Sequence, residues 1–229
     1  MSDSAGTATA EVADAHEDGH HHPQHWHHFV TMDQQFDAAK MGMWIFLVTE
    51  ILLFGGMFAA YAVFRSWAPE AFTAAHHHLD VVMGTVNTLV LLTSSLTVVL
   101  GIRRIQLGDQ KGLIKYLLIT IGLSAVFMVI KYFEYTHKIH LGLLPGSYYS
   151  YEGLQMAYVP IFFSLYFIMT AIHGIHVLLG MIAMGVLAVL ASRGMFGEQY
   201  YTPVEMTGLY WHLVDMIWIF LYPLFYLIG

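Results

Sequence analysis

Residues 157–191 read "AYVPIFFSLYFIMTAIHGIHVLLGMIAMGVLAVLA", an apolar run without one aspartate, glutamate, lysine or arginine. About 20 helical residues cross the roughly 30 Å hydrocarbon core of a bilayer, so this run is more than long enough to span it. Its apolar positions follow one another without the period-two alternation of a barrel strand, and a helix is the remaining way to satisfy backbone groups in lipid. The surplus length predicts ends that project into the interfaces or an axis that tilts.

Four more runs of this kind accompany it, near 41–64, 79–102, 113–136 and 205–228. Together they predict an all-α, polytopic membrane helix bundle with five transmembrane helices, occupying residues 40–229. Composition agrees, since 57% of the residues are hydrophobic and only 11% charged, the profile of an integral membrane protein. Cysteine is absent, which removes disulfides, thiolate metal sites and cysteine nucleophiles.

Residues 1–39 differ sharply from the rest. They carry seven acids, seven histidines and no lysine or arginine, and they account for the whole formal charge of −7 because the remaining chain balances nine acids with nine bases. This composition predicts a polar, solvated, disordered tail. It lacks the basic start and short apolar core of a cleavable signal peptide, so it is read as retained. The run "HEDGHHHPQHWHH" holds imidazoles of the kind that ligate zinc, copper or nickel, but without a fixed scaffold the plain polar tail is the preferred reading.

Basic residues set the expected orientation. Lys40, Arg103, Arg104, Lys111, Lys115 and Arg193 fall on one side, against Arg65, Lys131 and Lys138 on the other. The positive-inside rule then places the tail in the cytoplasm and Gly229 on the outer face. Trp44, Trp211 and Trp218, with Trp67, Tyr148, Tyr149, Tyr151 and Tyr201, are expected as interface anchors.

Ionisable residues inside the spans are the informative positions, because each costs about 2.5 to 3.5 kcal/mol at mid-bilayer on insertion scales. They are Glu50, Lys131, Glu134, His173, His176, His212 and Asp215. Lys131 and Glu134 stand three apart and can neutralise each other on one helix face. Glu50 has no such local partner and needs protonation, a partner on another helix or a polar cavity. His173 and His176 share a face, with Gly174 and Gly180 admitting a second backbone nearby. His212 and Asp215 also share a face, which suits the carboxylate to accept the imidazole proton.

The plainest reading of these residues is an interhelical polar network that holds the bundle together. Three other uses stay open on spacing alone. Two histidines from facing helices can ligate a haem. Histidines and carboxylates can hold a metal cluster, although the Glu-x-x-His pairs of bundle di-iron sites are missing. Glu50 can also serve as a proton relay.

Several ordered motifs in separate helices add a further argument. "MWIFLVTEILLFGGMFAAY" with its acid at Glu50, "VNTLVLLTSS" around Asn87, "GDQKG" at 108–112, "FEY" with Glu134, "HGIHVLLG" and "YWHLVDMIWIFLY" together resemble subunit III of the haem-copper respiratory oxidases. The likeness runs from about Gly42 to Gly229 and is that of the bacterial five-helix type.

The resemblance implies a subunit that holds no haem or copper of its own. Those groups belong to partner subunits, chiefly the catalytic subunit I, which a subunit of this family stabilises while supporting proton uptake. On that reading Glu50, Glu134, His173, His176, His212 and Asp215 form a structural polar core, and no residue of this chain is catalytic or metal-binding. The implied setting is the bacterial cell membrane, with membrane lipids and oxidase subunits as partners, bound phospholipids as ligands and no nucleic acid. Thr49–Glu50 resembles the Ser-Glu pair of the cytochrome c oxidases, which favours cytochrome c over quinol as electron donor. A quinol oxidase subunit, a nitric oxide reductase-associated subunit and, from a different class, a free-standing b-type membrane cytochrome are the alternatives. The seven-helix mitochondrial type has two further helices where this chain has its tail, so its cleft lipids do not carry over. Lys131, just before "FEY", is another local departure.

Overall fold

The computed structural model describes residues 32–198 and 200–228, and the His-rich run expected as a tail lies outside them. The described chain forms α1 (Met32–Trp67), α2 (Pro69–His76), α3 (Val81–Gln106), α4 (Gln110–His140), α5 (Val159–Ser192) and α6 (Thr202–Tyr222). Five of these are long and apolar enough to cross a membrane, all except α2. They run Gln34–Trp67, Val81–Gln106, Gln110–His140, Val159–Ser192 and Thr202–Leu227, where the sequence leads to spans near 41–64, 79–102, 113–136, 157–191 and 205–228. Residues 32–39, expected in the polar tail, are helical, because "MDQQFDAA" contains no helix breaker and continues the first span by two turns.

Local chemistry explains where the helices begin and end. Asp80 caps α3 by accepting from the amides of Val82 and Met83 at 2.9 and 3.1 Å. Asp109 caps α4 by accepting from Gly112 N–H at 2.8 Å, the arrangement that satisfies otherwise orphaned amides. Between them Gly108 takes φ +74°, a left-handed conformation that glycine adopts without a Cβ penalty. This lets α3 turn into α4 within three residues. Proline opens α2, α5 and α6, where its missing N–H costs nothing. At the other end of α6, Pro223 interrupts the hydrogen-bond ladder and the chain finishes in a wider π turn, Pro223–Leu227, with Ile228 N–H reaching the Pro223 carbonyl at 2.9 Å.

Helices α3, α4, α5 and α6 close a four-membered bundle in which α3 also packs against α6, while α1 leans on α6 and α5 from outside. Within the most apolar stretch of each, 50% of α6 is buried but only 11% of α1. Glycines set the closest approaches: a Cβ built at Gly180 falls 2.6 Å from the Trp211 ring, and one at Gly84 falls 2.9 Å from Tyr222 and Tyr226. Gly174, expected to serve in the same way, faces open space. Trp211 and Trp218 are 0% and 1% exposed, so they are core residues and not the interface anchors expected. Their indoles point into the bundle because they find hydroxyls there, Nε1 of Trp211 donating to Ser94 and Nε1 of Trp218 to Thr88, both at 3.1 Å. Trp44 and Trp67 do lie on the exterior.

One end of the bundle carries an aromatic lid. Short helix α2, which falls between the expected spans 41–64 and 79–102, buries Phe72 edge-on against Tyr61 of α1 and Phe162 of α5, each at 5.3 Å between ring centroids. Phe225 of the π turn completes the layer against Tyr61 and Phe162.

Candidate functional site: an interhelical polar core

Beneath the lid, α4 aims three charged side chains inward. Glu134 sits one turn from Lys131 and one from Lys138, and the side chains are 2%, 8% and 3% exposed. Lys131 donates to Glu134 Oε2 at 2.9 Å, to the Tyr226 hydroxyl at 2.9 Å and to the Tyr166 hydroxyl at 3.2 Å, which engages all three of its N–H groups. Lys138 donates to Glu134 Oε1 at 3.0 Å, and the Tyr226 hydroxyl donates to the same oxygen at 2.6 Å. Since Tyr226 has spent its proton on Glu134, Tyr166 is the donor in the 3.3 Å contact between the two phenols. Aromatic faces surround the charge, with Lys131 Nζ 4.8 Å from the Trp218 ring and Lys138 Nζ 5.2 Å from Tyr166.

This cluster joins α4, α5 and α6, and it is larger than the Lys131–Glu134 pair expected from spacing. Lys138 falls beyond the expected span 113–136, yet α4 runs on to His140. The signal was present as the Glu-to-Lys i,i+4 spacing. Tyr166 and Tyr226 carry no such signal, because their phenols meet α4 only through the fold.

Glu50 finds its partner on another helix. Its Oε2 lies 2.8 Å from His176 Nε2, which ties α1 to α5. The other imidazole nitrogen, Nδ1, donates to the Ile172 carbonyl at 2.8 Å, and Tyr210 of α6 donates to the His176 carbonyl at 3.0 Å. The ring also meets Phe54 edge-on at 5.5 Å.

His173, one turn away, points elsewhere. It is fully buried between Phe127 and Trp218, at 5.7 and 5.2 Å between centroids. Neither of its nitrogens has a hydrogen-bond partner among the described residues, and the same holds for the side chains of Asn87 and Asp215. The expected contact between His212 and Asp215 does not form. His212 Nδ1 instead meets the Ser95 hydroxyl of α3 at 2.7 Å. Thr97 and Thr120 join α3 to α4 at 2.7 Å.

The histidines therefore do not converge. Both nitrogens of His176 are engaged, His212 is turned to α3, and His173 is closed in by two aromatic rings. Among the described residues no three histidine, aspartate or glutamate side chains gather as a metal site. Chemically, the arrangement ties helices to one another.

Outside the spans, burial and the positive fields of His77 and Lys138 push the His78 imidazole below its usual range. Its ring packs edge-on against Tyr151 at 5.3 Å.

Residues 13–229 match the family model described as Cytochrome c oxidase subunit III. A protein of Thermostichus vulcanus named cytochrome c oxidase subunit 3 is 34% identical over 84% of this chain and 88% of its own. One of Bacillus spizizenii named quinol oxidase subunit 3 is 30% identical over 91% of this chain and 97% of its own. A protein of Aeropyrum pernix named heme-copper oxidase subunit I+III is 28% identical, with 84% of this chain matching 23% of that longer one.

Proposed function

The chain belongs to the cytochrome c oxidase subunit III family, and we propose that it serves a proton-pumping haem-copper oxidase as an accessory subunit without a redox centre of its own. It stands beside catalytic subunit I, stabilises it and supports its proton uptake. The observation that carries this reading is the mutual engagement of the polar side chains: Glu50 with His176, Glu134 with two lysines and Tyr226, His212 with Ser95. Such side chains are committed to holding helices, and haem and copper belong to the partners. The subunit I+III name of the Aeropyrum pernix relative supports subunit I as the neighbour.

Cytochrome c is the electron donor we favour over quinol, on Thr49–Glu50, although relatives carry both names. The bacterial cell membrane is the proposed setting, with the N-terminus cytoplasmic and the C-terminus outside, on the distribution of basic residues. The exposed apolar faces of α1, α3, α4 and α5 suit phospholipid chains. Copurification tests the reading: the full chain should isolate with a haem-containing oxidase, whereas the chain expressed alone should show no Soret band. A Soret band from the chain alone would make it a cytochrome and overturn the proposal.

A further inference from the structure

Asn87 of α3, His173 of α5 and Asp215 of α6 are 0%, 0% and 3% exposed, and all six of their polar side-chain atoms lack a hydrogen-bond partner among the described residues. Ser95 lies near Asp215, but its hydroxyl bonds to His212 Nδ1 at 2.7 Å and completes no bond with the carboxyl.

Trp218 is the neighbour these three side chains have in common. Its ring lies 5.2 Å from that of His173, Asp215 precedes it by one turn on α6, and its Nε1 donates at 3.1 Å to Thr88, the residue after Asn87. Phe127 of α4 closes the layer, 4.9 Å from Trp218 and 5.7 Å from His173 between centroids. The unpartnered groups therefore belong to one layer of the bundle interior.

Burial and chemistry narrow what can satisfy them. No lipid or partner helix reaches groups that are sealed from the surface, and leaving them bare is costly, since buried polar groups in folded proteins are nearly always bonded. An ion answers only one kind of group, a cation the acceptors and an anion the donors. This layer mixes the two: the Asn87 carboxamide brings two N–H donors and a carbonyl, a neutral His173 brings one donor and one acceptor, and the Asp215 oxygens accept. Water both donates and accepts.

We infer that ordered water occupies this layer and bridges Asn87, His173 and Asp215, joining α3, α5 and α6. At about three hydrogen bonds per buried water, six atoms call for about two molecules. The inference goes beyond the accessory-subunit reading and concerns the interior of this chain alone, so the two can fail separately.

Hydroxyl radicals made by a short synchrotron X-ray exposure arise from bound water as well as from bulk water, and they oxidise the side chains beside it. In the purified oxidase complex, digested afterwards for mass spectrometry, His173 and Trp218 should be oxidised despite their burial. Tyr61, 2% exposed in the aromatic lid, is the comparison and should be oxidised several times less. Asn87→Leu removes one arm of the bridge and should lower the yield at Trp218 severalfold. Oxidation of His173 and Trp218 no greater than that of Tyr61 overturns the inference, and so does an Asn87→Leu complex labelled as strongly as the unsubstituted one. If that variant fails to fold, the comparison with Tyr61 in the unsubstituted complex decides by itself. A chain that isolates without any oxidase subunit would sink the accessory-subunit reading, and the same labelling of that chain in detergent would still test this one.

Discussion

The Tyr226 hydroxyl donates to Glu134 Oε1 at 2.6 Å, so the π turn that follows α6 is fastened to α4 beneath the aromatic lid. Pro223 makes this contact possible. By widening the helix into a π turn, it brings Tyr226 round toward α4, beside Lys131 and beneath the Phe225 layer.

Tyr226→Phe removes that donor and also an acceptor for Lys131, while keeping the ring. The loss should be about 1–3 kcal/mol, the cost of leaving buried partners short of a hydrogen bond. Thermal unfolding in detergent reads it as a lowered midpoint. A midpoint equal to that of the unsubstituted chain would show that the phenol contributes packing alone.

The triad around Glu134 makes an asymmetric prediction. Glu134→Leu strands two buried ammonium groups and should destabilise by roughly 3–5 kcal/mol. Lys138→Met leaves Glu134 paired with Lys131 and still bonded to Tyr226, and it removes the surplus positive charge. It should therefore cost far less than the glutamate change. Equal damage from both, measured as heat stability of the purified protein, would mean that Lys138 is needed to balance the cluster.

His78 gives the pH dependence. Its imidazole titrates below the usual range when folded, so the unfolded chain binds a proton at a pH where the folded chain does not. Stability then falls as the pH drops through the ordinary imidazole value toward the depressed one, and it is fully present above that window. His78→Gln should flatten this part of the stability profile. An unchanged profile between neutral and mildly acidic pH would place the acid sensitivity elsewhere.

The five spans were legible because hydrocarbon imposes a length and a composition on any segment that crosses it, and those constraints are local. Intramembrane charge was legible for the same reason: Glu50, Glu134 and His176 stand out against apolar neighbours. Pairing was less so. Glu50 and His176 are 126 residues apart, and nothing in either segment names the other. The indole of Trp211 looks the same in sequence whether it anchors at an interface or fills the gap over Gly180, and the fold decides. Helix α2 was hidden because it is too short to span, and its Phe72 gains meaning only under Tyr61 and Phe162. His212 and Asp215 show the converse, a spacing that permits a contact which a hydroxyl on α3 then takes.

Two glycines six residues apart on α5 separate close packing from open surface. A methyl at Gly180 would meet the Trp211 ring at 2.6 Å, whereas one at Gly174 meets nothing within 4 Å. Trp211 cannot yield easily, because its ring is fully buried and its Nε1 is held by Ser94 at 3.1 Å. Gly180→Ala should therefore force α5 and α6 apart and cost about 1–3 kcal/mol, as overpacking does. Gly174→Ala adds a better helix former on open surface and should be neutral or stabilising by up to about 1 kcal/mol. Thermal unfolding of the two variants side by side decides the matter. If Gly174→Ala is the more damaging in the assembled complex but harmless in the isolated chain, that part of α5 is covered by a partner. If it is the more damaging in both, the close contact of α5 with α6 through Gly180 does not set the spacing of these helices.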